Sequence, residues 1–330
     1  MAKQELSIPA LTAMIPTEAD AYLLLEKLRW NGRPVCPHCG LVDGAWYIRP
    51  LNGVSRKTRT GQQSQRRVWK CGGCRRQFSV LTGTIFQGSK IAVRTWLLVV
   101  FEMCAAKNGI SAREVERKYD LTAKTAWFML HRIREAMRRD PLAGLLRGTV
   151  ISDETWIGGA PANRHRDDPR ELPRLSSTTD KTPVLALVDY ETREVRSRVV
   201  PNVNGKTLAK AIAEDVDGLR TELWTDSALP YNVVAKDMRS HETVDHSAGQ
   251  YVRRGGITTN MAEGYFSQLK RSIDGTHHHV SVEHLGRYLA QFDFMYSLCK
   301  QSDSARMWAL IRQAGGRRLS YKPLTDGPPA

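Results

Sequence analysis

Apolar and polar positions along this chain follow two different periods. Ile91 to Ala106 is a nearly continuous apolar run of helical length. Ser111-Ala-Arg-Glu114 then has the form of a capping box, and it predicts the start of a short helix carrying Val115 and Tyr119. After a turn at Asp120 to Thr122, the residues Ala126, Met129, Leu130, Ile133 and Met137 fall at i, i+3, i+4, i+7 and i+11. That spacing lays one buried stripe along a further helix and leaves Lys124, His131, Arg132 and Arg138 off it. From residue 149 the pattern shortens to apolar strands between turns: Thr149 to Ile157, Pro183 to Tyr190 and Val195 to Pro201. A helix near Lys206 to Val216 and a strand from Glu222 to Asp226 follow. The order strand, strand, strand, helix, strand and then further helices predicts an RNase H-like mixed sheet with flanking helices, since a doubly wound sheet would alternate strictly.

Composition is that of a globular chain: 330 residues, 41% apolar and 25% charged, enough for two or three domains with a core. Charge changes the picture more. Lys and Arg number 49 against 34 Asp and Glu, a net of +15, which favours a phosphate-rich partner and disfavours small-acid metabolism. Nine of the cations lie between Arg49 and Arg76 with no acid among them, so this stretch is expected to lie against DNA, with Arg66, Arg67, Arg75 and Arg76 as contacts. The two helices joined at Asp120 read as a helix-turn-helix, whose second helix would offer Lys124 and Arg132 to a major groove. The N-terminus lacks a basic segment followed by an apolar one, and no run approaches the ~18 residues of a spanning helix, so a cytoplasmic, nucleoid-associated protein with no membrane contact is expected.

Four of the six cysteines form two knuckles, Cys36-Pro-His-Cys39 and Cys71-Gly-Gly-Cys74. Each Cys-x-x-Cys closes a tight turn covering one edge of a tetrahedron, so the pair predicts a closed structural Zn²⁺ site in a zinc ribbon. Cys104 and Cys299 stand alone in apolar segments and read as buried, inert thiols.

Three acids remain. Asp153 interrupts the apolar strand Val150-Ile151-Ser152, and Asp226 ends the strand Leu223-Trp224-Thr225. Carboxylates there are costly unless used, and two of them on neighbouring strands suit hard divalent cations. A third oxygen ligand is expected from the later helix that begins near Asn260: Glu263 and Lys270 are seven residues apart and share a face with Ser267, while Phe266, Leu269 and Ile273 take the buried side. Asn260-x-x-Glu263 also has the form of a capping box, which would occupy both residues in local structure alone. That alternative leaves the strand-end aspartates unexplained, as it does Gly264, which is expected to permit close approach of a metal or DNA backbone.

Over nearly its whole length the chain resembles bacterial insertion-sequence transposases that join an N-terminal zinc ribbon to a DDE core. The matching segments are Leu28-Arg29-Trp30 before Cys36-Pro-His-Cys39-Gly40, and Cys71-x-x-Cys74-Arg-Arg-Gln-Phe-Ser with Gly83-Thr84-Ile85-Phe86. They continue through Asp153-Glu-Thr-Trp-Ile-Gly-Gly159, Thr225-Asp226-Ser227 and Thr259-Asn260-x-x-Glu263-Gly-x-Phe-Ser-x-Leu-Lys-Arg271. The resemblance implies cut-and-join transposition of double-stranded DNA, acting on terminal repeats and a target, by a homodimer or larger assembly with two Mg²⁺ ions. It implies Asp153, Asp226 and a residue of the last helix as ligands, either Glu or Asn in the family. Glu263 is favoured because Lys270 lies only about 20° from it around the helix, against roughly 80° for Asn260. Lys270 and Arg271 would contact DNA near the cut end. One departure is that relatives tend to carry Arg and Asn after the final Phe-x-Phe, where this chain reads Gln291-Phe-Asp-Phe-Met295. The expected organisation is a zinc-ribbon domain over 1–88, a helix-turn-helix region over 89–147, an RNase H-like catalytic domain over 148–300 and a tail over 301–330. Two rival readings are a non-catalytic DNA-binding regulator and an RNase H-like nuclease that stops at hydrolysis.

Overall fold

A computed structural model describes residues 6–49, 57, 61, 63–140, 142–158, 181–245, 252–253 and 256–321. Ala160 to Thr182, expected as a loop beside the active site, lies almost entirely outside the described residues, as does much of the basic stretch after Arg49. The chain forms two compact units, one of residues 1–137 with 300–330 and the other of residues 138–299. No helix among the described residues is long and apolar enough to cross a membrane.

The first unit contains helices α1 (Ile8–Met14), α2 (Glu18–Trp30), α3 (Val93–Ala105), α4 (Ala112–Tyr119), α5 (Ala123–Met137) and α10 (Asp303–Gln313). It also holds an antiparallel three-stranded sheet of β1 (Ala45–Tyr47), β2 (Trp69–Cys71) and β3 (Gln77–Phe78). The ribbon is tied to α2 by aromatic edges: Trp30 meets Trp69 at 5.7 Å and Phe78 at 5.9 Å. The buried Glu26 carboxylate accepts from Arg67 Nε and Trp69 Nε1, each at 2.9 Å. Glu18 supplies the cap that Ala92 cannot, accepting the Val93 and Arg94 amides at 2.6 and 3.0 Å. The Ser111 hydroxyl caps α4 by accepting the Glu114 amide, a contact type worth about 1 kcal/mol. Asp120, in the left-handed region at φ 51°, ends that helix and turns the chain into α5.

Within the expected tail, residues 303–313 form a packed helix. α10 buries Met307, Leu310 and Ile311, and its last residue together with Arg317 closes the C-terminus of α5. Gln313 Nε2 donates to Ala136 O at 2.6 Å and Arg317 to Glu135 O at 3.1 Å, filling carbonyls that a helix end leaves open.

The second unit is a five-stranded mixed sheet in the order β6-β5-β4-β7-β8. Its strands are β4 (Leu146–Ile157), β5 (Thr182–Asp189), β6 (Val195–Val199), β7 (Val216–Asp226) and β8 (Ser240–Val244). β4, β5 and β6 pair antiparallel, while β7 runs parallel to β4 and β8 parallel to β7. Helices cover both faces. α6 (Gly205–Ala213) and α7 (Tyr231–Val234) pack on Val150, Leu185, Leu187 and Leu223. α8 (Asn260–Ser272) and α9 (Val282–Ser297) pack on Ile151, Ala186, Val188 and Trp224. Burial on both faces is why β5 reads as a continuous apolar run with no alternation.

β6 is an edge strand, and α9 covers it with polar side chains. Asp293 accepts the Ser197 amide at 2.9 Å and the Ser197 hydroxyl at 2.7 Å, and Ser297 accepts the Val195 amide at 2.9 Å. The Tyr265 hydroxyl of α8 donates to Asp293 at 2.7 Å, so one buried carboxyl joins β6, α8 and α9. Burial pushes the Asp293 carboxyl up to about 7, against the pull of its three donors. Because its folded value stands above its unfolded one, the stabilisation it provides is complete below about pH 4 and is lost as pH rises through 7. Thermal unfolding at pH 5 and pH 8 should therefore show a larger loss of Tm for the parent protein than for Asp293→Asn; equal losses would exclude this carboxyl as the cause.

Candidate active site and zinc centre

Ile151 of β4 pairs with Trp224 of β7, and both side chains enter the core on the α8 face. Two residues further along each strand, alternation returns side chains to the same face. Asp153 and Asp226 therefore both come to the α8 face, just past the last paired residues of β4 and β7. Both are only half-buried, and the Asp226 carboxylate accepts the Ala228 amide at 3.1 Å.

α8 crosses that face with Ala262, Tyr265, Phe266 and Leu269 in the core. Glu263, Ser267 and Lys270 lie together on its exposed side, as the seven-residue spacing predicts, and Asn260 is also exposed at the first helical position. The capping box does not form: Thr259 is the N-cap residue and no side chain caps the helix, while the Thr259 hydroxyl donates to Glu263 Oε1 at 3.3 Å. Gly264 has an intramolecular reason instead of the expected approach of metal or DNA. A Cβ there would lie 3.3 Å from the Tyr296 hydroxyl, which donates to Met261 O at 2.9 Å. His277 to His279 follow α8: the His277 ring packs on Tyr288 at 4.8 Å, and His278 Nδ1 lies 3.0 Å from Asp274 O.

Glu154 was not singled out from the sequence. It follows Asp153 and so points to the other face, where its carboxyl hydrogen-bonds Tyr231, whose hydroxyl lies 3.0 Å from Ser152 Oγ. Burial raises Glu154 to about 7, with the charges of Asp153 and Asp226 adding to the rise. Two consecutive acids in a strand are the signal that could have found it, because one must face each side.

In the first unit, Cys36, Cys39, Cys71 and Cys74 bring their sulfurs within 4.8 Å of one another. Two of the separations are 3.7 Å, Cys36 to Cys74, and 3.6 Å, Cys39 to Cys71. A tetrahedron with Zn–S bonds of ~2.3 Å has edges of about 3.8 Å, so the donor set fits zinc. The Cys74 amide leads in drawing Cys71 down to about 7, whereas burial pushes Cys36 up to about 11. A cation among the four sulfurs would compensate the buried thiolates. Among the described residues this is the one group of three or more potential ligands so closely gathered; Asp153, Asp226 and Glu263 do not meet that spacing together. Cys104 is buried, its thiol pushed up to about 12, but Cys299 is exposed because it lies just past α9, contrary to expectation.

The expected DNA contacts divide. Arg66, Arg75, Arg76, Lys124, Lys270 and Arg271 are exposed. Arg67 is committed inside the ribbon, paired with Glu26 and stacked 4.3 Å over Tyr47. Arg132 is buried between Trp96 and Phe128 and gives a hydrogen bond to Gln87 O at 2.6 Å. α5 is covered along most of its length, with His131, Arg132 and Arg134 buried as well as the apolar stripe, so accessible side chains lie in its first two turns and at the half-buried Glu135.

Residues 145–297 match the model of the ISXO2-like transposase domain, and residues 16–77 match that of the transposase zinc-ribbon domain. The chain belongs to the insertion-sequence transposase family. An uncharacterized protein in transposable element ISH50 of Halobacterium salinarum is 25% identical to this family member over 305 residues, 90% of this chain and 97% of that one. Among solved structures, a cryoEM structure of the simian T-cell lymphotropic virus intasome in complex with PP2A regulatory subunit B56 gamma matches at a TM-score of 0.26 and 13% identity. That match covers 58% of this chain and 66% of the other, just under two thirds of it.

Purified from cells, this family member should carry one zinc per chain by atomic absorption, and Cys39→Ser should reduce that to near zero. A full zinc complement in the variant would contradict the four-cysteine centre.

Proposed function

We propose that the protein is a DDE transposase that binds the ends of its element and carries out metal-dependent cleavage and strand transfer of double-stranded DNA, as two or more copies in the cytoplasm at the nucleoid. The observation that carries this reading is the parallel register of β4 and β7, which brings Asp153 and Asp226 to one face of the sheet from positions far apart in the chain. Membership of the transposase family supports it.

Asp153, Asp226 and Glu263 would hold two Mg²⁺ ions, with Asn260, one turn earlier on α8, as the second choice for the third ligand. Their all-oxygen donor set is the kind that hard cations prefer. When bound, such a pair supplies Lewis-acid activation of the attacking oxygen and charge neutralisation at the leaving one. Asp153 lies on the central strand β4, with Asp226 on its neighbour β7 and Glu263 on α8, and these three carboxylates would share the holding of the pair. Lys270, on the Glu263 face, holds a phosphate of the DNA strand by charge. The protein forms no covalent link to the DNA; water and then a 3′-hydroxyl are the nucleophiles.

On labelled element ends with Mg²⁺, Asp153→Asn should reduce nicking and joining to background while end binding persists. Cleavage at the parent rate would sink the assignment, and cuts without joined products would make the protein a nuclease. Glu263→Gln and Asn260→Ala, compared side by side, identify the third ligand as whichever change abolishes nicking.

A second expectation concerns binding alone. Replacing Arg66, Arg75 and Arg76 together by Gln should lower the slope of log affinity against log salt by up to about 2.7, at roughly 0.9 per phosphate contact. Arg67→Ala should instead lower the stability of the ribbon, because it leaves the buried Glu26 without its cation.

A further inference from the structure

At the start of α5 lies a cavity of about 280 Å³ whose described lining includes three cations, Lys90, Lys124 and Arg132, three aromatic rings, Trp96, Phe128 and Tyr321, and no acid. Arg132 is the buried cation of the three. The residue is only 5% exposed, and its Nε has no hydrogen-bond partner among the described residues. Its described contacts are the Gln87 carbonyl and the rings of Trp96 and Phe128, at 5.2 and 5.4 Å from the guanidinium carbon. Burial lowers its pKa to about 10, and Arg318 nearby adds repulsion where a carboxylate would compensate. A guanidinium held this way is costly until an anion arrives. Lys124 is exposed in the first turn of α5, where the helix end itself favours negative charge, and its ammonium sits 4.5 Å over the Tyr321 ring. Phe128 and Tyr321 meet edge to face at 5.4 Å, both partly open to the cavity.

We propose that this cavity binds one unpaired nucleotide of a DNA strand, its base against Phe128 and Tyr321 and its phosphate on Lys90, Lys124 and Arg132. The inference rests on the DNA-processing reading above and adds a single-stranded site remote in sequence from the carboxylates. A bare phosphate would satisfy the cations and leave the aromatic wall unused, and an apolar ligand would leave the buried guanidinium unpaired. A nucleotide engages both, by stacking and by charge, which is how proteins hold single strands without reading sequence. A base inside a duplex is already stacked and paired, so only an unpaired one can enter.

The test uses the full-length zinc-loaded protein and a fluorescent pentathymidylate at low salt, read by anisotropy, with a duplex of the element end in parallel. Phe128→Leu should weaken the single strand about tenfold, and more than it weakens the duplex. Lys124→Gln, an exposed change that does not disturb folding, should weaken it too and lower the salt slope by about 0.7. A pentanucleotide carrying 4-thiothymidine should cross-link on irradiation to the peptide containing Phe128 or Tyr321. Single-strand binding equal to the parent in both variants would overturn the proposal, as would cross-links confined to other peptides. Displacement of the oligonucleotide by inorganic phosphate as readily as by thymidine monophosphate would also overturn it, showing a phosphate site without a base. A parent protein that binds duplex ends yet never nicks them defeats the catalytic reading and leaves these results standing.

Discussion

The constraint on which the second unit depends is the parallel pairing of β4 with β7. Parallel neighbours cannot be joined by a hairpin, so β5, β6 and α6 intervene, and the crossover lays helices against the sheet. With both faces covered, carboxylates in the middle of the strands would be stranded in hydrocarbon. The register permits them where the pairing of β4 with β7 stops, and there the core formed with Ile151 and Trp224 gives way to half-buried positions. Two acids separated by two strands and a helix thus become neighbours as a consequence of topology, with no local sequence signal linking them.

The third acid depends on how α8 is seated. Tyr265 is fastened to Asp293, and Tyr296 closes over Gly264, so the helix can neither roll nor lift without breaking buried hydrogen bonds. That seating turns Ala262 and Phe266 into the core and leaves Glu263 and Lys270 on one accessible side. The same arrangement gives Asp293 its place: it is a buried structural carboxyl that joins β6, α8 and α9. Its raised pKa is the cost of placing a carboxyl in the interior, and its three donors limit that cost.

Much of this was legible beforehand because it is periodic or stereotyped. The strand order, the turn at Asp120 and the two cysteine knuckles each rest on spacings that tolerate few alternatives. What was misread depends on contacts that spacing does not encode. Arg67 and Arg132 look like surface cations in a basic stretch and on the polar side of a helix, yet both lie against aromatic rings, because a guanidinium has a flat apolar face that stacks. Gly264 was assigned to a ligand when a tyrosine from a helix thirty residues later occupies the space. The Asn260 capping pattern is present in the sequence, but Thr259 precedes it and the helix starts one residue earlier. Glu154 lies on the face of β4 opposite Asp153, and α10 forms where a tail is expected because its packing depends on distant helices.

The net charge of +15 is not spread evenly over the surface. Net charge counts Arg67, Arg132 and Arg196 equally with Arg66 and Lys270, although the first three are engaged inside the fold. Arg67 is paired with Glu26, and Arg196 with Glu194 and a shared Asp215, so they contribute little to the outer field. Arg132 has no such counter-charge among the described residues, and its field is directed into a cavity rather than spread over a surface. A low-dielectric wall strengthens that field, so the position with the least solvent can attract an anion more strongly than several exposed lysines screened by salt. The basic ribbon can therefore supply long-range attraction to DNA, while selection among the forms a strand can take falls to a buried cation and the rings around it.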